Sequence, residues 1–445
     1  MLSNLNIKLE NIGPIGNADM DLAQINIIGG QNGTGKSTAT KLLYSVLRSN
    51  SSNNKKLAHI SIMNKIADLV FDLNDYARST RRSNRDSPEE KKSKQEAFEL
   101  MKQLSDADKF EETKEVFEEV KQKYAKLITR DVLKKDIEEQ IFKIDESIET
   151  AETDPEKLYN EVMGIILKKE FSIELGYPDE GIFKFSGNYN DDLFEYIVDL
   201  NKDYNFDIKN ILDTEGWFRI KEVYYLDSFS IIDLPQRHGL QNTDHASSLA
   251  NSLNPDNDKS EDVFDKDYNP KLIELEKSII EVMGGKFIFD GQKLVFKTKY
   301  DKTPVMKNTA SGIKQLGIIQ LLLSHRAIDE DSFLIFDEPE VNLHPQWQVE
   351  LAKFLVFLSK ELNLTLYINS HSPMFIEAMC IYSEYYDLLD KTNVFLTEKD
   401  ENSEDIKYNF KQIDPRDLGD IYENLSSPYD ILDEVKAEIF ERQDY

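Results

Sequence analysis

A glycine-rich segment near the N terminus, GQNGTGKS at residues 30–37, has the residue types that bind phosphates. Its glycines allow backbone N–H groups to point at phosphate oxygens, and the following helix presents the positive end of its dipole. Lys36 would reach the outer phosphates, and Ser37 would coordinate magnesium. An apolar strand predicted over 22–29 precedes the segment and a helix predicted over 36–49 follows it. The sequence therefore predicts a phosphate-binding loop between a strand and a helix.

An acidic pair ends a second apolar run, in LIFDEPE at residues 334–340. The run predicts a buried strand, and parallel sheets bind ligands at the carboxyl ends of their strands. At that position Asp337 suits magnesium held through water, and Glu338 suits a general base for an attacking water molecule. An acidic pair at a strand end can also be a structural cap. Downstream of a phosphate loop, the pattern favours catalysis.

Two shorter motifs lie on either side of this pair. In NTASGIKQ, residues 308–315, Ser311 and Gly312 open a predicted helix whose N terminus would attract an anion, although an ordinary capped helix begins in the same way. In NSHSP, residues 369–373, His371 stands just past a predicted strand end. A lone histidine is often structural, but this position makes His371 a candidate sensor of the γ-phosphate.

The elements that must position these motifs alternate between apolar strands and helices, which is typical of a parallel sheet. Strands are predicted over 5–10, 221–229, 364–370 and 392–397, helices over 312–326 and 345–362, and a β-hairpin over 286–296. Residues 236–270 are rich in Asn, Asp and Ser and predict a long mobile loop.

A charged helical region separates the phosphate loop from the later motifs. Between residues 91 and 150, two apolar stripes at helical spacing predict an antiparallel hairpin of two helices joined near Arg130. The stripes consist of Val116, Phe117, Val120, Tyr124 and Leu127, and of Leu133, Ile137, Ile141, Ile144 and Ile148. They are short for a long coiled-coil arm, so a packed helical subdomain is favoured over a specific partner-binding arm.

The composition excludes several classes of protein. No run approaches the roughly 18 apolar residues of a membrane span, and the first residues lack a signal-peptide pattern, so a cytoplasmic protein without a membrane partner is expected. The single cysteine, Cys380, excludes a disulfide framework and a cysteine-based zinc site. With 83 acidic and 54 basic residues the net charge is −29, so DNA binding is expected to be weak or indirect.

Taken in order, the four motifs resemble the head of ABC-type ATPases of the SMC and OLD kind, often labelled AAA-type ATPases in prokaryotic antiphage defence systems. The resemblance is carried by GQNGTGKST, the serine–glycine signature, DEPE followed by VNLHP, and SHSP, and the opening IKLENIGPIGNADMDLAQINIIGG supports it. It implies an α/β fold, an ABC-type P-loop NTPase head with a helical, coiled-coil-like insertion. The head would consist of residues 1–50 and 215–400, with the insertion at 51–214 and an acidic C-terminal tail segment at 401–445.

The resemblance implies a binding or catalytic role for each matching residue. ATP and Mg²⁺ would be the cofactors, with Ser37 and Asp337 holding the metal ion. Glu338 would activate the attacking water, and His371 would be the switch histidine. The nucleotide itself would be bound by Gly30, Asn32, Gly33, Thr34, Gly35, Lys36, Ser37 and Thr38.

The resemblance also implies a homo-oligomer, at least a dimer. Ser311 and Gly312 would contact the γ-phosphate of ATP bound to another copy, so that ATP is sandwiched between subunits. Asn342 and His344 would lie at the same subunit boundary.

The chain departs from the family pattern in two places. The signature lacks the second glycine of transporter-type LSGGQ, and no clear glutamine follows VYYLDS. Asp227 or Ser228 occupies the expected place of the glutamine, and Gln236 is a weaker candidate. OLD proteins also carry a nuclease domain that needs a DxD pair. The segment after His371 contains no DxD, so no nuclease is expected in this chain.

Three functions follow as alternatives. The leading hypothesis is a regulatory ATPase of an antiphage defence system, similar to the stand-alone ATPases of PARIS or Septu systems, that works with a separate effector nuclease. The tail IDPRDLGDIYENLSSPYDIL resembles tails in that group. The second is an SMC-like ATPase of DNA repair or maintenance that binds DNA itself. A transporter ATPase subunit is disfavoured by the acidic helical insertion and by the altered signature.

Overall fold

The strands and helices of the chain are defined by a computed structural model. It describes residues 2–50, 54–80, 88–106, 110–124, 131–153, 155–171, 181–189, 192–200, 206–212, 222–227, 243–253, 270–290, 293–300, 302–303, 311–328 and 332–443. The strands are β1 (Leu2–Ile12), β2 (Ile15–Asp21), β3 (Ile25–Gly29), β4 (Gly181–Tyr189), β5 (Asp192–Leu200), β6 (Phe206–Leu212), β7 (Val223–Leu226), β8 (Gly285–Asp290), β9 (Lys293–Thr298), β10 (Phe333–Asp337), β11 (Thr365–Ser370), β12 (Thr392–Lys399) and β13 (Tyr408–Ile413).

The helices are α1 (Lys36–Ser49), α2 (Asn54–Thr80), α3 (Pro88–Asp106), α4 (Phe110–Tyr124), α5 (Asp131–Thr153), α6 (Pro155–Glu170), α7 (Asp244–Ser252), α8 (Pro270–Met283), α9 (Ser311–Ser324), α10 (Pro345–Leu362), α11 (Pro373–Tyr385) and α12 (Gly419–Gln443). The chain divides into two compact units, Met1–Ser52 with Met163–Tyr445 and, separately, Asn53–Val162.

The larger unit is built on one eleven-stranded sheet of order β6-β5-β4-β1-β2-β13-β12-β3-β11-β10-β7. The strands from β12 to β7 run parallel, whereas β1, β2, β4, β5 and β6 form an antiparallel extension. In the parallel part, β3 (INIIG) is buried along its whole length: its isoleucines lie on both faces, and the amide of buried Asn26 donates to the carbonyl oxygens of Ala23 and Leu366. Helices α9, α10 and α11 contribute apolar side chains to the same core.

The register of the parallel strands aligns their carboxyl ends. Leu226 of β7 pairs with Phe336 of β10, and the next residue of β10, Asp337, pairs with Asn369 of β11. Asn369 in turn pairs with Ile28 of β3. The chain positions that follow these strands therefore meet along one edge, directly beside the start of the phosphate loop.

The smaller unit contains helices α2 to α5. Their apolar faces form a separate core that includes Ile66, Leu69, Phe117, Val120 and Ile144. Three helices, α3, α4 and α5, lie in the region where the sequence predicts a hairpin of two, and Arg130 lies outside the described residues. The predicted apolar stripes nevertheless supply Phe117, Val120 and Ile144 to this core.

Three other segments differ from the sequence-based expectation. Within the range 51–214, expected to be a helical insertion, β4, β5 and β6 are strands of the main sheet, because alternate side chains such as Phe183 and Phe185 are buried on one face. Within the expected loop at 236–270, α7 forms and buries Leu249. Within the expected tail at 401–445, β13 joins the sheet and α12 follows.

Candidate functional site

The segment at residues 30–35 connects β3 to α1 as a compact loop. Gly35 adopts φ +97°, a left-handed conformation, and a Cβ atom there would lie 2.4 Å from Cγ1 of Ile15. The hydroxyl of Thr34 donates to the carbonyl oxygen of Gln31 over 2.9 Å, and Thr397 of β12 donates to the Thr34 hydroxyl over 3.0 Å. The loop is therefore held from inside and from the neighbouring strand, as expected for a preformed backbone site.

The side chain of Lys36 lies beneath this loop, and the residue is only 4% exposed. Its ammonium group donates to the carbonyl oxygens of Gly30 over 2.8 Å and of Gln31 over 2.7 Å. Burial lowers the pKa of Lys36, while the negative charges of Glu338 and Asp337 oppose that shift. A buried cation thus stands next to the backbone groups of the loop.

Asp337, the last residue of β10, is fixed by hydrogen bonds to both carboxylate oxygens. The hydroxyl of Tyr225 donates to Oδ2 over 3.1 Å, and Nδ2 of Asn369 donates to Oδ1 over 2.8 Å. Nδ2 of Asn369 also contacts the hydroxyl of Thr40 in α1 over 2.7 Å. Three elements, β7, β11 and α1, therefore hold this carboxylate in one orientation.

Glu338 follows directly in a strained backbone conformation. Its φ of +52° lies in the left-handed region, which non-glycine residues seldom adopt. Its backbone N–H donates to the carbonyl oxygen of Asn369 over 3.0 Å, which fixes the turn at the strand end. Oε1 of Glu338 lies 3.6 Å from Nδ1 of His371. The strained turn brings the glutamate and the histidine to the same place.

A third acid, Glu340, is buried behind this pair. Its Oε1 accepts the hydroxyl of Ser370 over 2.7 Å and the backbone N–H of His371 over 3.0 Å. The same oxygen lies 3.5 Å from Nδ1 of His371. Burial raises the pKa of Glu340, against the effect of the hydrogen bonds that it accepts. Glu340 thereby holds the backbone that carries His371.

A cavity of about 350 Å³ opens at the carboxyl ends of β7 and β10. Three residues predicted from sequence, Ser37, Asp337 and Glu338, line it together. Asp227 and Gln315 also line it, together with apolar side chains. Ser37 is exposed at the start of α1, next to buried Thr38, and Asn32 and Gly33 are exposed in the loop.

The signature residues stand at the start of α9, whose later residues Gln315 and Ile318 line this cavity. Gly312 is not among the described residues that line it. Gly312 packs closely, because a Cβ atom there would lie 2.6 Å from Cδ2 of Leu343 and 3.1 Å from Cε3 of Trp347. His344 caps α10, with Nδ1 accepting from the backbone N–H of Gln346 over 3.3 Å.

Sequence reasoning missed several residues that hold the site. Tyr225 lies in an apolar strand, where nothing marks its hydroxyl as a partner of Asp337. Asn369 and Glu340 belong to the quoted motifs NSHSP and DEPE, so their polar character at strand ends was a usable signal. Gln315 lies in the predicted signature motif, and its side-chain amide donates to the carbonyl oxygen of Pro339. It thereby connects α9 to the acidic strand end.

Together, the parallel sheet, the loop before α1 and the acidic strand end define a P-loop nucleotide-binding protein of the α/β class. Residues 2–376 match the family described as "AAA ATPase domain", so the chain belongs to that family. No curated protein sequence matches the chain significantly. In the part of the chain that the structure describes, no helix is long and apolar enough to cross a membrane.

Solved structures to which the chain is similar share little sequence with it. The SMC head domain from Thermotoga maritima is 9% identical with a TM-score of 0.38, over 93% of this chain and 98% of that chain. An Smc head bound to the C-winged helix domain of ScpA is 10% identical with a TM-score of 0.41, over 92% and 97%. An Smc head from Pyrococcus furiosus with an extended coiled coil, bound to the C-terminal domain of ScpA, is 8% identical with a TM-score of 0.40, over 98% and 100%.

Proposed function

We propose that this chain is a magnesium-dependent ATPase in which Glu338 activates the water that attacks the γ-phosphate. The observation that carries the proposal is that Ser37, Asp337 and Glu338 line one cavity of about 350 Å³. Lys36 stands beneath the adjoining loop with its ammonium among backbone groups. A phosphate cradle, a cation and two carboxylates are the parts that phosphoryl transfer requires.

The residues present fit a magnesium ion. The hydroxyl of Ser37 and the carboxylate of Asp337 are hard oxygen donors, which magnesium prefers, and both line the cavity. Among the described residues, no group of three or more acidic, histidine or cysteine side chains could hold a metal ion alone. Magnesium binds through one or two carboxylates together with water and substrate phosphates. The ion would neutralise charge on the phosphates.

The chain's own residues would each do one part of the reaction. Lys36 would donate to phosphate oxygens, and the loop N–H groups would bind the remaining oxygens. Glu338 would accept a proton from the attacking water at its carboxylate. His371 would contact the γ-phosphate; its backbone is held by Glu340, and its Nδ1 lies 3.6 Å from the Glu338 carboxylate.

Replacement of Asp337 by Asn tests this assignment. We expect Asp337→Asn to lower magnesium-dependent ATP hydrolysis by about tenfold or more, because a metal ligand loses its charge while the side chain keeps its size. The effect is measured as turnover at a series of Mg²⁺ concentrations. The control is Asp405→Asn, at an exposed aspartate. Equal turnover and equal Mg²⁺ dependence in Asp337→Asn and the control would contradict the metal assignment.

The active form is proposed to be a homo-oligomer of at least two chains. Ser311 and Gly312 begin α9, and the resemblance places this signature at the subunit boundary. The N terminus of a helix attracts an anion, so the start of α9 suits the γ-phosphate of ATP held by another copy. One complete site would then combine Lys36 of one chain with Ser311 of another.

In the cell, the proposed role of the chain is to regulate a separate effector in antiphage defence. A nuclease is the leading candidate for this effector. The order of the four motifs and the net charge of −29 support this role over direct DNA binding. Plating of phage on cells carrying the chain with its neighbouring genes tests it, with Lys36→Ala as the inactive form. The alternative, an SMC-like DNA repair or maintenance ATPase, would instead be favoured by binding of the purified chain to duplex DNA at physiological salt with a Kd below about 1 μM.

A further inference from the structure

A buried polar chain leads from the core of the larger unit to the edge of the cavity. Its members are Glu170 at the end of α6, His245 in the first turn of α7, and Asp227 just after β7. Nδ1 of His245 lies 2.6 Å from Oε2 of Glu170, and Nε2 of His245 lies 3.1 Å from Oδ2 of Asp227. Both ring nitrogens therefore face carboxylates.

The inner end of this chain is rigid. The side chains of His245 and Glu170 are 2% and 0% exposed. Oε1 of Glu170 also accepts the backbone N–H of His245 over 3.0 Å, so that the carboxylate holds both the ring and its backbone. The ring of Tyr225 packs 4.4 Å from the imidazole ring, centroid to centroid. The imidazole has little freedom to rotate away from Asp227.

The charge of His245 follows from these contacts. Burial disfavours the imidazolium, but hydrogen bonds to Asp227 and Glu170 outweigh it and raise the pKa of His245 to about 9. Burial likewise opposes ionisation of Asp227, yet the hydrogen bond and charge of His245 lower the pKa of that carboxyl. A cation is thus held between two carboxylates at neutral pH.

The outer end of the chain reaches the nucleotide cavity. The Asp227 side chain is 43% exposed and lines the cavity with Ser37, Asp337 and Glu338. The register explains this position, because Leu226 pairs with Phe336, and Asp227 and Asp337 follow those residues on adjacent parallel strands. Asp337 is also linked to the same region, since the hydroxyl of Tyr225 donates to it.

We infer that Glu170 and His245 are positioning residues that hold Asp227 as a third acidic group of the nucleotide cavity. Asp227 there accepts hydrogen bonds from the water that surrounds bound magnesium-ATP, beside Asp337. The imidazolium fixes which way the carboxylate points and keeps it ionised next to two other acids. This inference rests on the proposed ATPase function and adds residues from α6 and α7 to it.

A double-mutant cycle tests whether His245 acts through Asp227. The variants are Asp227→Asn, His245→Gln and the double variant, with His325→Gln as a matched control at another buried histidine. We expect each single variant to lower kcat about tenfold and to raise the Mg²⁺ concentration that half-saturates ATP binding by a similar factor. The double variant should fall within about twofold of the worse single variant.

The outcomes separate this inference from the proposed function. Wild-type protein without magnesium-dependent ATP binding would contradict the proposed function itself. If the wild type is active, two results would overturn only the positioning role. One is an unchanged kcat in Asp227→Asn, and the other is a kcat about a hundredfold lower in the double variant, which would mean that the two effects multiply. If His245→Gln melts below the assay temperature, Glu170→Gln takes its place in the double-mutant cycle. It should lower kcat in the wild-type background and leave it unchanged in the Asp227→Asn background.

Discussion

Lys36 combines burial, positive charge and a fixed position beneath the phosphate loop. Because its ammonium is held by the carbonyl oxygens of Gly30 and Gln31, it stands where phosphate oxygens would meet the loop. We expect Lys36→Ala to weaken ATP binding by at least about tenfold, since a charge-assisted hydrogen bond to phosphate is lost. Calorimetric titration with and without Mg²⁺ measures the change.

Lys399→Ala is the control for this titration, because Lys399 is a half-exposed lysine on β12. A melting curve of Lys36→Ala should accompany the titration, since Lys36 also bridges two loop carbonyls. A folded Lys36→Ala protein with the affinity of the control would contradict the phosphate-loop assignment.

At the residue scale, the groups proposed to bind phosphate and magnesium stand in recognisable motifs, whereas Tyr225, which holds one of them, does not. Lys36 and Asp337 stand in the short motifs GQNGTGKS and DEPE, whose residue types and spacing are typical of nucleotide-binding sites. Tyr225 holds Asp337 from a neighbouring strand 112 positions earlier in the chain. That pairing depends on strand order and register, which no local pattern contains.

At the scale of elements, α6, β7 and α7 meet around His245. The titratable groups that face or adjoin the imidazole are Glu170, Asp227, Tyr44, Tyr225 and Asp244. Burial raises the pKa of Tyr44 and that of Tyr225 well above the ordinary value, so neither hydroxyl ionises between pH 6 and 9. His245, with a pKa of about 9, changes its charge in this range.

The pKa of His245 predicts how the stability of the larger unit depends on pH. The folded value of about 9 exceeds the ordinary value of 6.5, so the contribution is complete below pH 6.5 and lost as pH rises through 9. The contribution is on the order of 3 kcal/mol. We expect wild type to melt at a higher temperature than His245→Gln at pH 6.5, and this difference to disappear as the pH rises to 9.5. A difference that stays constant over this range would show that His245 is not charged in the fold.

The elements also show where sequence patterns are sufficient. Helices α1 and α10 begin and end at the predicted residues. Their starts carry strong signals, because the phosphate loop precedes α1 and Pro345 is the first residue of α10. Helix α7 was predicted as loop because its sequence DHASSLANS is polar and short. Its buried face consists of Asp244, His245, Ser248 and Leu249, so polar contacts rather than an apolar stripe stabilise it.

At the scale of the whole molecule, each chain has one phosphate loop and one signature. If a complete site combines two chains, then Lys36→Ala and Ser311→Arg should each be inactive alone, and their mixture should recover ATPase activity. A mixed dimer contains one site with intact Lys36 facing an intact Ser311, so we expect about a quarter of wild-type activity at equal mixing, from random pairing.

Two measurements make this mixing experiment decisive. Tagged chains establish by co-purification that the two variants assemble together. Each variant alone, at the same total concentration, gives the baseline ATPase activity. No recovery of activity despite co-assembly would contradict a site shared between chains.

The central claim, that Glu338 activates water for hydrolysis of ATP at this cavity, is tested most directly by the nucleotide that Glu338→Gln retains. After incubation with ATP and Mg²⁺, we expect Glu338→Gln to hold unhydrolysed ATP and to turn over at least about 100-fold more slowly than wild type, because only the base is removed. Glu401→Gln, at an exposed glutamate, should behave as wild type. Bound ADP and wild-type turnover in Glu338→Gln would contradict the claim.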